Sequence, residues 1–418
     1  MRLPPAIVNW TEDVLREVLR FTGPADVTLS YFFRQHPKIG SRERGVIAEA
    51  VYGLLRRKSE YTNFAESGTG PAMRRLALLG LSGVVEIDAI AGLTEEEKQW
   101  LERVKQINRE SLPLVLRTNL PLWLFEILVE QYGEEEAMRM AEGLNRSAPL
   151  DLRVNAAKGS REDALKALNE ASIDCEPTPY APLGIRLKRK PALQNLQLFK
   201  DGVIEVQDEG SQLLSHLVGA KRGEMVVDFC AGAGGKTLAL GAAMRNTGRL
   251  YAFDVSDKRL AKLKPRLARS GLSNVHPVQI AHENDTKVKR LAGKIDRVLV
   301  DAPCSGLGTL RRNPDMKWRQ TQRSVDEMNE KQHGILAGAA RLVKPGGRLV
   351  YATCSILNAE NEVVVSQFLE KHDDFQLVPV KEILAEQKIP LEMEQYLKML
   401  PHVHQTDGFF AAVMERKK

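Results

Sequence analysis

No stretch of the 418 residues reaches 18 uninterrupted apolar residues, the length a helix needs to cross a bilayer, which excludes a helical membrane protein. The first ten residues, Met1 to Trp10, lack a charged stretch, an apolar run and a small-residue cleavage site, so a cytoplasmic location is expected. Cysteine is scarce. Cys175, Cys230, Cys304 and Cys354 stand fifty or more residues apart, which rules out CxxC metal knuckles and a small disulfide scaffold. No metal site is expected, and the four are read singly as reduced thiols. Long repeats and low-complexity tracts are also missing, which removes solenoids and disordered tails. Charge of one sign is in small excess, a net +6, which permits a polyanionic partner without requiring one.

What is there suffices for two or three folded domains, since 43% of the residues are hydrophobic. Apolar residues recur at helical spacing from Trp10 to about Asn145, as in Val14, Leu15, Val18 and Leu19 and in Val46, Ile47, Ala50, Val51, Leu54 and Leu55. This predicts an all-helical domain over residues 1–146, with Ser41 as an N-cap. Arg34, Lys38, Arg42, Arg44, Arg56, Arg57 and Lys58 could form a phosphate-facing patch or an ordinary solvated face. Residues 147–201 read as a small α/β module, with strands at Leu150 to Asn155 and Gly184 to Leu187, a helix at Arg161 to Ala171, and a basic run at Lys188, Arg189 and Lys190. Over 202–418, five apolar strands alternate with helical stretches: Met225 to Phe229, Arg249 to Val255, Val275 to Ile280, Arg297 to Val300 and Arg348 to Ala352. The fold class is therefore α/β, with a doubly wound, Rossmann-like parallel sheet. Gly408 to Met414 is expected to be an edge strand. In such sheets ligands bind beyond the carboxyl ends of the strands, near the switch point.

Three ligands could use the glycine-rich turn that follows the first of these strands, Cys230-Ala231-Gly232-Ala233-Gly234-Gly235-Lys236-Thr237. A P-loop of a nucleoside triphosphatase shares its end, Gly235-Lys236-Thr237, but has glycine where Cys230 stands; Asp301 would then hold magnesium. A dinucleotide site lacks its third glycine. An adenosyl methyl donor would add Asp254, whose carboxylate ends the second strand and can accept ribose hydroxyls; its ordinary alternative is a helix cap.

Cys304, in Asp301-Ala302-Pro303-Cys304-Ser305-Gly306, and Cys354, in Thr353-Cys354-Ser355, follow neighbouring strands and should face one pocket. Either cysteine alone would be read as a small inert hydrophobe. Two beside a cofactor loop suit covalent catalysis on cytosine, whose carbon 5 becomes nucleophilic only after a thiolate adds to carbon 6. Asp301 would hydrogen-bond ring nitrogen 3 and the exocyclic amine, and Lys236 would lower a thiol pKa or orient Asp301, unless it is merely an exposed helix residue. Spacing does not rank the two thiols.

These motifs closely resemble the RsmB/Sun family of RNA cytosine-5 methyltransferases, over nearly the whole chain. The paired cysteine motifs are the specific part. Arg153-Val154-Asn155, Val206-Gln207-Asp208-Glu209 and Asp407-Gly408-Phe409-Phe410 also match. The resemblance implies a class I methyltransferase domain, S-adenosylmethionine bound by Cys230 to Lys236, Asp254 and Asp301, Cys354 as nucleophile and Cys304 assisting release. It also implies an acidic cofactor contact after the third strand, for which Asp285 is chosen ahead of Glu283. Val51 to Arg56 resembles a NusB-like RNA-binding domain, and residues 147–201 resemble the family's RNA-binding insertion. The expected substrate is small-subunit ribosomal RNA and the expected state a monomer. Transfer RNA is an alternative target, as is a non-catalytic RNA-binding assembly factor. Arg311 to Arg319, which mixes cations with Trp318, is expected to contact the target strand, whose cytosine must be unstacked.

Overall fold

A computed structural model describes residues 3–418 and divides the chain into two compact units. The first comprises residues up to Ser147 together with Thr309–Gln322; the second comprises Ala148–Gly308 and Arg323–Lys418.

Among the described residues up to Ser147, nine α-helices build the first unit: Ala6–Val18, Ala25–Gln35, Ser41–Arg56, Lys58–Glu66, Ala72–Ser82, Glu95–Lys105, Leu114–Thr118, Leu122–Tyr132 and Glu134–Asn145. Their apolar stripes supply a core that includes Ile7, Leu15, Ile47, Leu54, Leu78 and Trp100. Ser41 lies inside its helix, and Gly40 is the N-cap, without a side-chain bond. The full capping box is at Thr94 and Glu97, each side chain accepting from the other residue's amide.

The segment expected to contact RNA is instead part of this core. Lys317 is fully buried, its ammonium donating to the Arg56 carbonyl (2.9 Å) and to the Asn145 side chain. Trp318 donates to the Leu55 carbonyl (2.8 Å), with the Lys58 ammonium 4.7 Å from its ring. Asp315 accepts from the amide of Ala25, at the start of a helix. The indole is thus partly buried among Leu55, Lys58 and Lys317 and packs against the helical core. Arg56 and Lys58 are likewise withdrawn from the proposed phosphate face, Arg56 being half-buried and bonded to the Arg311 carbonyl (3.2 Å). Removing the Trp318 ring should cost about 2–3 kcal/mol of stability, below the roughly 3–5 kcal/mol usual for a fully buried aromatic because the ring is only partly buried. Urea unfolding of Trp318→Ala checks this.

In the second unit, β1 (Leu150–Val154), β2 (Cys175–Pro177), β3 (Gly184–Leu187) and β4 (Ile204–Val206) form an antiparallel sheet in the order β2-β3-β1-β4, with helix Arg161–Glu170 above it. This is the small module, and β4 carries it past residue 201, where the sequence suggested a boundary. Arg153 explains why the two parts of this unit are inseparable. It is buried, donates to Gln207 and to the Gly235 carbonyl (2.7 Å), and burial lowers its pKa to about 10. Asn155 bonds the Gly202 and Ser270 carbonyls in the same manner (3.1 Å each).

The large sheet contains β5 (Met225–Asp228), β6 (Arg249–Asp254), β7 (Val275–Gln279), β8 (Ile295–Asp301), β9 (Val343–Thr353), β10 (Phe375–Val378), β11 (Leu397–Met399) and β12 (Phe409–Arg416). Its order is β10-β12-β9-β8-β5-β6-β7, with β11 also on β12. β5 to β9 are parallel, whereas β12 runs antiparallel to β9 and β10. This is the class I methyltransferase arrangement. β12 is therefore not the edge strand expected, and its uninterrupted buried run Phe409 to Met414 suits a strand covered on both faces. The chain leaves β5 toward β6 on one side and returns to β8 on the other, which opens the switch-point crevice between β5 and β8.

Candidate active site

The cofactor loop lies at the carboxyl end of β5 and is held from three sides. Ala231 donates to the Phe253 carbonyl and Gly232 to the Asp254 carboxylate, both at 2.8 Å, while Arg266 bonds the Ala233 carbonyl at 2.7 Å. Two of its glycines take the left-handed backbone that favours glycine. Gly234 has φ +82°, and a Cβ there would lie 2.1 Å from a Leu263 methyl. Gly232 has φ +57° and faces open space, with nothing within 4 Å of a built Cβ. A ligand can thus approach this turn closely. Helix Gly235–Ala243 begins directly after it and aims its first amides at the same place.

Asp254 is buried, and its second oxygen accepts from the Ser256 amide (2.7 Å). The next helix is capped by Ser256, so the ordinary alternative for Asp254 does not apply. Asp285 accepts from the Ala281 and Lys287 amides, both 2.8 Å, and these bonds hold its pKa below the usual carboxylate value. It shapes the loop after β7. Glu283 packs beside Gly338 and accepts from the Asn284 side chain.

Asp228 ends β5 beneath the loop and accepts from the Thr237 hydroxyl (2.6 Å), while its other oxygen has no hydrogen-bond partner. Burial pushes its carboxyl up to about 7 from 3.8. A pKa raised on folding means that the protonated form stabilises the protein fully below about pH 4, and that this contribution is lost as pH rises through about 7. At 1.36 kcal/mol per unit, Asp228→Asn should gain about 2–4 kcal/mol relative to the parent between pH 4 and pH 8. Urea midpoints across that range, without cofactor, test the sign.

Across the crevice, Lys236 donates to Asp301 at 2.7 Å, and its side chain is only 12% exposed. Burial disfavours its charge, but Asp301 outweighs burial and leaves the ammonium above its ordinary pKa. An ammonium fixed on a strand-end carboxylate is not a free phosphate ligand. The strand order, that of a class I methyltransferase, argues against the nucleoside-triphosphatase alternative.

Asp301 is in register with Ala352 on β9, so the loops carrying the two cysteines emerge side by side. The Cys304 and Cys354 sulfurs are 3.3 Å apart. The hydrogen bond with Cys354, and then burial, push the Cys304 thiol well above its usual value. Cys230, by contrast, is part of the loop wall; burial raises its pKa and makes it inert. Cys175 lies in the small module, on β2.

The two cysteine loops are also stitched together by backbone. Gly308 donates to the Cys354 carbonyl (2.9 Å), and Gly408 to the Gly308 carbonyl (2.7 Å). A Cβ on Gly308 would lie 2.2 Å from the Gly408 oxygen, which no relaxation of a side chain could relieve. Asp208 accepts from the Asp407 amide (3.2 Å), which explains why Val206 to Glu209 and Asp407 to Phe410 occur together. The sequence alone did not point to Glu360, a fully buried carboxylate that accepts from Ser305, Ser355 and Gln332. Its only trace was a serine directly after each cysteine.

Residues 216–415 match the family described as 16S rRNA methyltransferase RsmB/F, and residues 120–194 match the RsmF/B-like ferredoxin-like domain. A Synechocystis protein named probable ribosomal RNA small subunit methyltransferase B is 30% identical, over 96% of this chain and 98% of its own length. The chain belongs to the RsmB/F family. A Bacillus subtilis protein of the same name is 29% identical over 91% of the chain and 92% of its own length. The crystal structure of PH0851 superposes over all of both chains with a TM-score of 0.81 and 27% identity. As an RsmB/F member the protein is an RNA methyltransferase. Among the described residues, no helix is long and apolar enough to cross a membrane, and no group of three His, Cys, Asp or Glu could hold a metal.

Proposed function

We propose that this RsmB/F protein methylates carbon 5 of a cytosine in small-subunit ribosomal RNA, using S-adenosylmethionine, with Cys354 as nucleophile and Cys304 assisting release. The observation that carries this is the pair of sulfurs 3.3 Å apart beside the Lys236–Asp301 pair. One thiol forms a bond to the base while the second stands within reach of the same ring.

The turn at Gly232, open in front and positive in φ, fits the donor, with Asp254 at the ribose and Cys230 to Lys236 around the remainder. Asp285 borders the adenine end by shaping its loop. When bound, the donor supplies an electrophilic methyl group. The remaining steps belong to the protein. Asp301, held by Lys236, hydrogen-bonds nitrogen 3 and the exocyclic amine. The Cys354 thiolate adds to carbon 6, and the ring electrons move toward carbon 5. After methylation the carbon 5 proton passes to a base, the electrons of that carbon–hydrogen bond restore the 5,6 double bond, and the carbon–sulfur bond breaks with its electron pair leaving on the Cys354 sulfur. Cys304, whose sulfur lies 3.3 Å from that of Cys354, stands where it can assist this release.

Bisulfite sequencing of small-subunit ribosomal RNA from a strain lacking the gene should show one cytosine newly converted. Unchanged ribosomal RNA with a lost site in transfer RNA would move the target, and no lost site would remove the reading. S-adenosylmethionine, and not ATP, should raise the melting temperature of the purified protein.

A further inference from the structure

The two thiols need a fixed separation, yet they sit on two loops that follow different strands. Glu360 connects them. It stands in the short turn Asn358–Glu360, is 0% exposed, and its main chain is fixed by the Tyr351 hydroxyl, which donates to its carbonyl (2.7 Å). One carboxylate oxygen accepts from the Ser305 amide (2.8 Å) and the Gln332 side chain (2.9 Å). The other accepts from both hydroxyls, Ser305 and Ser355. Ser305 directly follows Cys304, and Ser355 directly follows Cys354.

The four donors are neutral, and among the described residues no lysine or arginine is paired with Glu360. A carboxylate removed from water is costly unless hydrogen bonds replace its hydration. Here they come from both cysteine loops at once. Displacing either loop would strand part of the charge, so the cost of burying Glu360 becomes a restraint on the loops. Gln332 extends the restraint by also bonding the Pro303 carbonyl, one residue before Cys304 (3.0 Å). On the Cys354 side, Asn361 bonds the Ser355 carbonyl (3.1 Å) and accepts from Thr353.

We infer that Glu360 is a positioning residue that sets the distance between Cys304 and Cys354 by binding the serine beside each. It touches neither base nor cofactor. Its consequence for methylation rests on the function proposed above; its consequence for sulfur geometry does not.

Two measurements on the full chain therefore test it. Diamide accepts two electrons and two protons from a pair of thiols as they join in a disulfide, and the rate of closure between Cys304 and Cys354 reports how well the pair is aligned. Peptide mass mapping follows that bond. Glu360→Ala should slow closure about tenfold or more and lower kcat on small-subunit ribosomal RNA by a similar factor, with KM for RNA and affinity for S-adenosylmethionine within twofold. Glu360→Gln, which keeps one acceptor oxygen, should recover part of both losses and replaces the alanine variant if that fails to fold. Closure and kcat within twofold of the parent in the folded variants would overturn the inference, as would equal losses in alanine and glutamine variants. If the parent does not methylate, the proposed function falls, and the closure rates alone decide the role of Glu360.

Discussion

Cys354→Ala should lower single-turnover methylation by at least about 10⁴-fold, the scale expected when a covalent nucleophile is lost and only binding and orientation remain. Carbon 5 of cytosine does not attack a methyl sulfonium unaided, and no other side chain is placed to replace the sulfur. Cys304, 3.3 Å away, is the nearest candidate, but it follows β8 rather than β9 and would meet the ring from a different position. Affinity for S-adenosylmethionine should remain within twofold, because the Gly232–Asp254 bond and the fixed turn around it do not involve Cys354. Rapid-quench assay with labelled donor measures the first quantity and calorimetry the second.

Cys304→Ala should instead accumulate a covalent protein–RNA species approaching one per enzyme, while multiple turnover falls by about 10²-fold or more, the usual range for removing a positioned acid–base group. Bond formation by Cys354 survives; elimination, which needs proton movement near carbon 5, does not. A denaturing gel with labelled RNA shows the adduct directly, and Cys304→Ala combined with Cys354→Ala should abolish it. Adduct accumulation in Cys354→Ala, with activity lost in Cys304→Ala, would exchange the two roles.

Both variants address residues whose location was legible from the sequence, since apolar strands alternating with helices place whatever follows Val300 and Ala352 at the carboxyl edge of a sheet. The Gly232 turn was legible from local order along the chain and the adjacency of β8 and β9 from the fold class, whereas the Lys236–Asp301 pair was one of three readings left open for Lys236. What could not be read depends on contacts remote in sequence. Ser305 and Glu360 are far apart in the chain, and nothing in either neighbourhood announces the other. Trp318 misled because cations beside an aromatic suit a nucleobase and a protein core equally well; only Leu55, more than two hundred residues earlier, decides between them. The same holds for β12, where an apolar terminal strand fits an edge or an interior position, and pairing with both β9 and β10 settles it.

The burial of Lys317 and Trp318 also has a temporal side. The helices up to Ser147 leave the ribosome well before the plug of their own unit, Thr309–Gln322, which is completed roughly 175 residues after Ser147. At about 5–20 residues per second, the nascent helices wait some 10–35 s with the seat of that plug empty. Leu55, Asn145 and the start of helix Ala25–Gln35 are the groups left exposed meanwhile. Synthesis order therefore keeps the N-terminal unit unfinished until Gln322 has been made, and a chaperone that shields apolar nascent chain would find a target there.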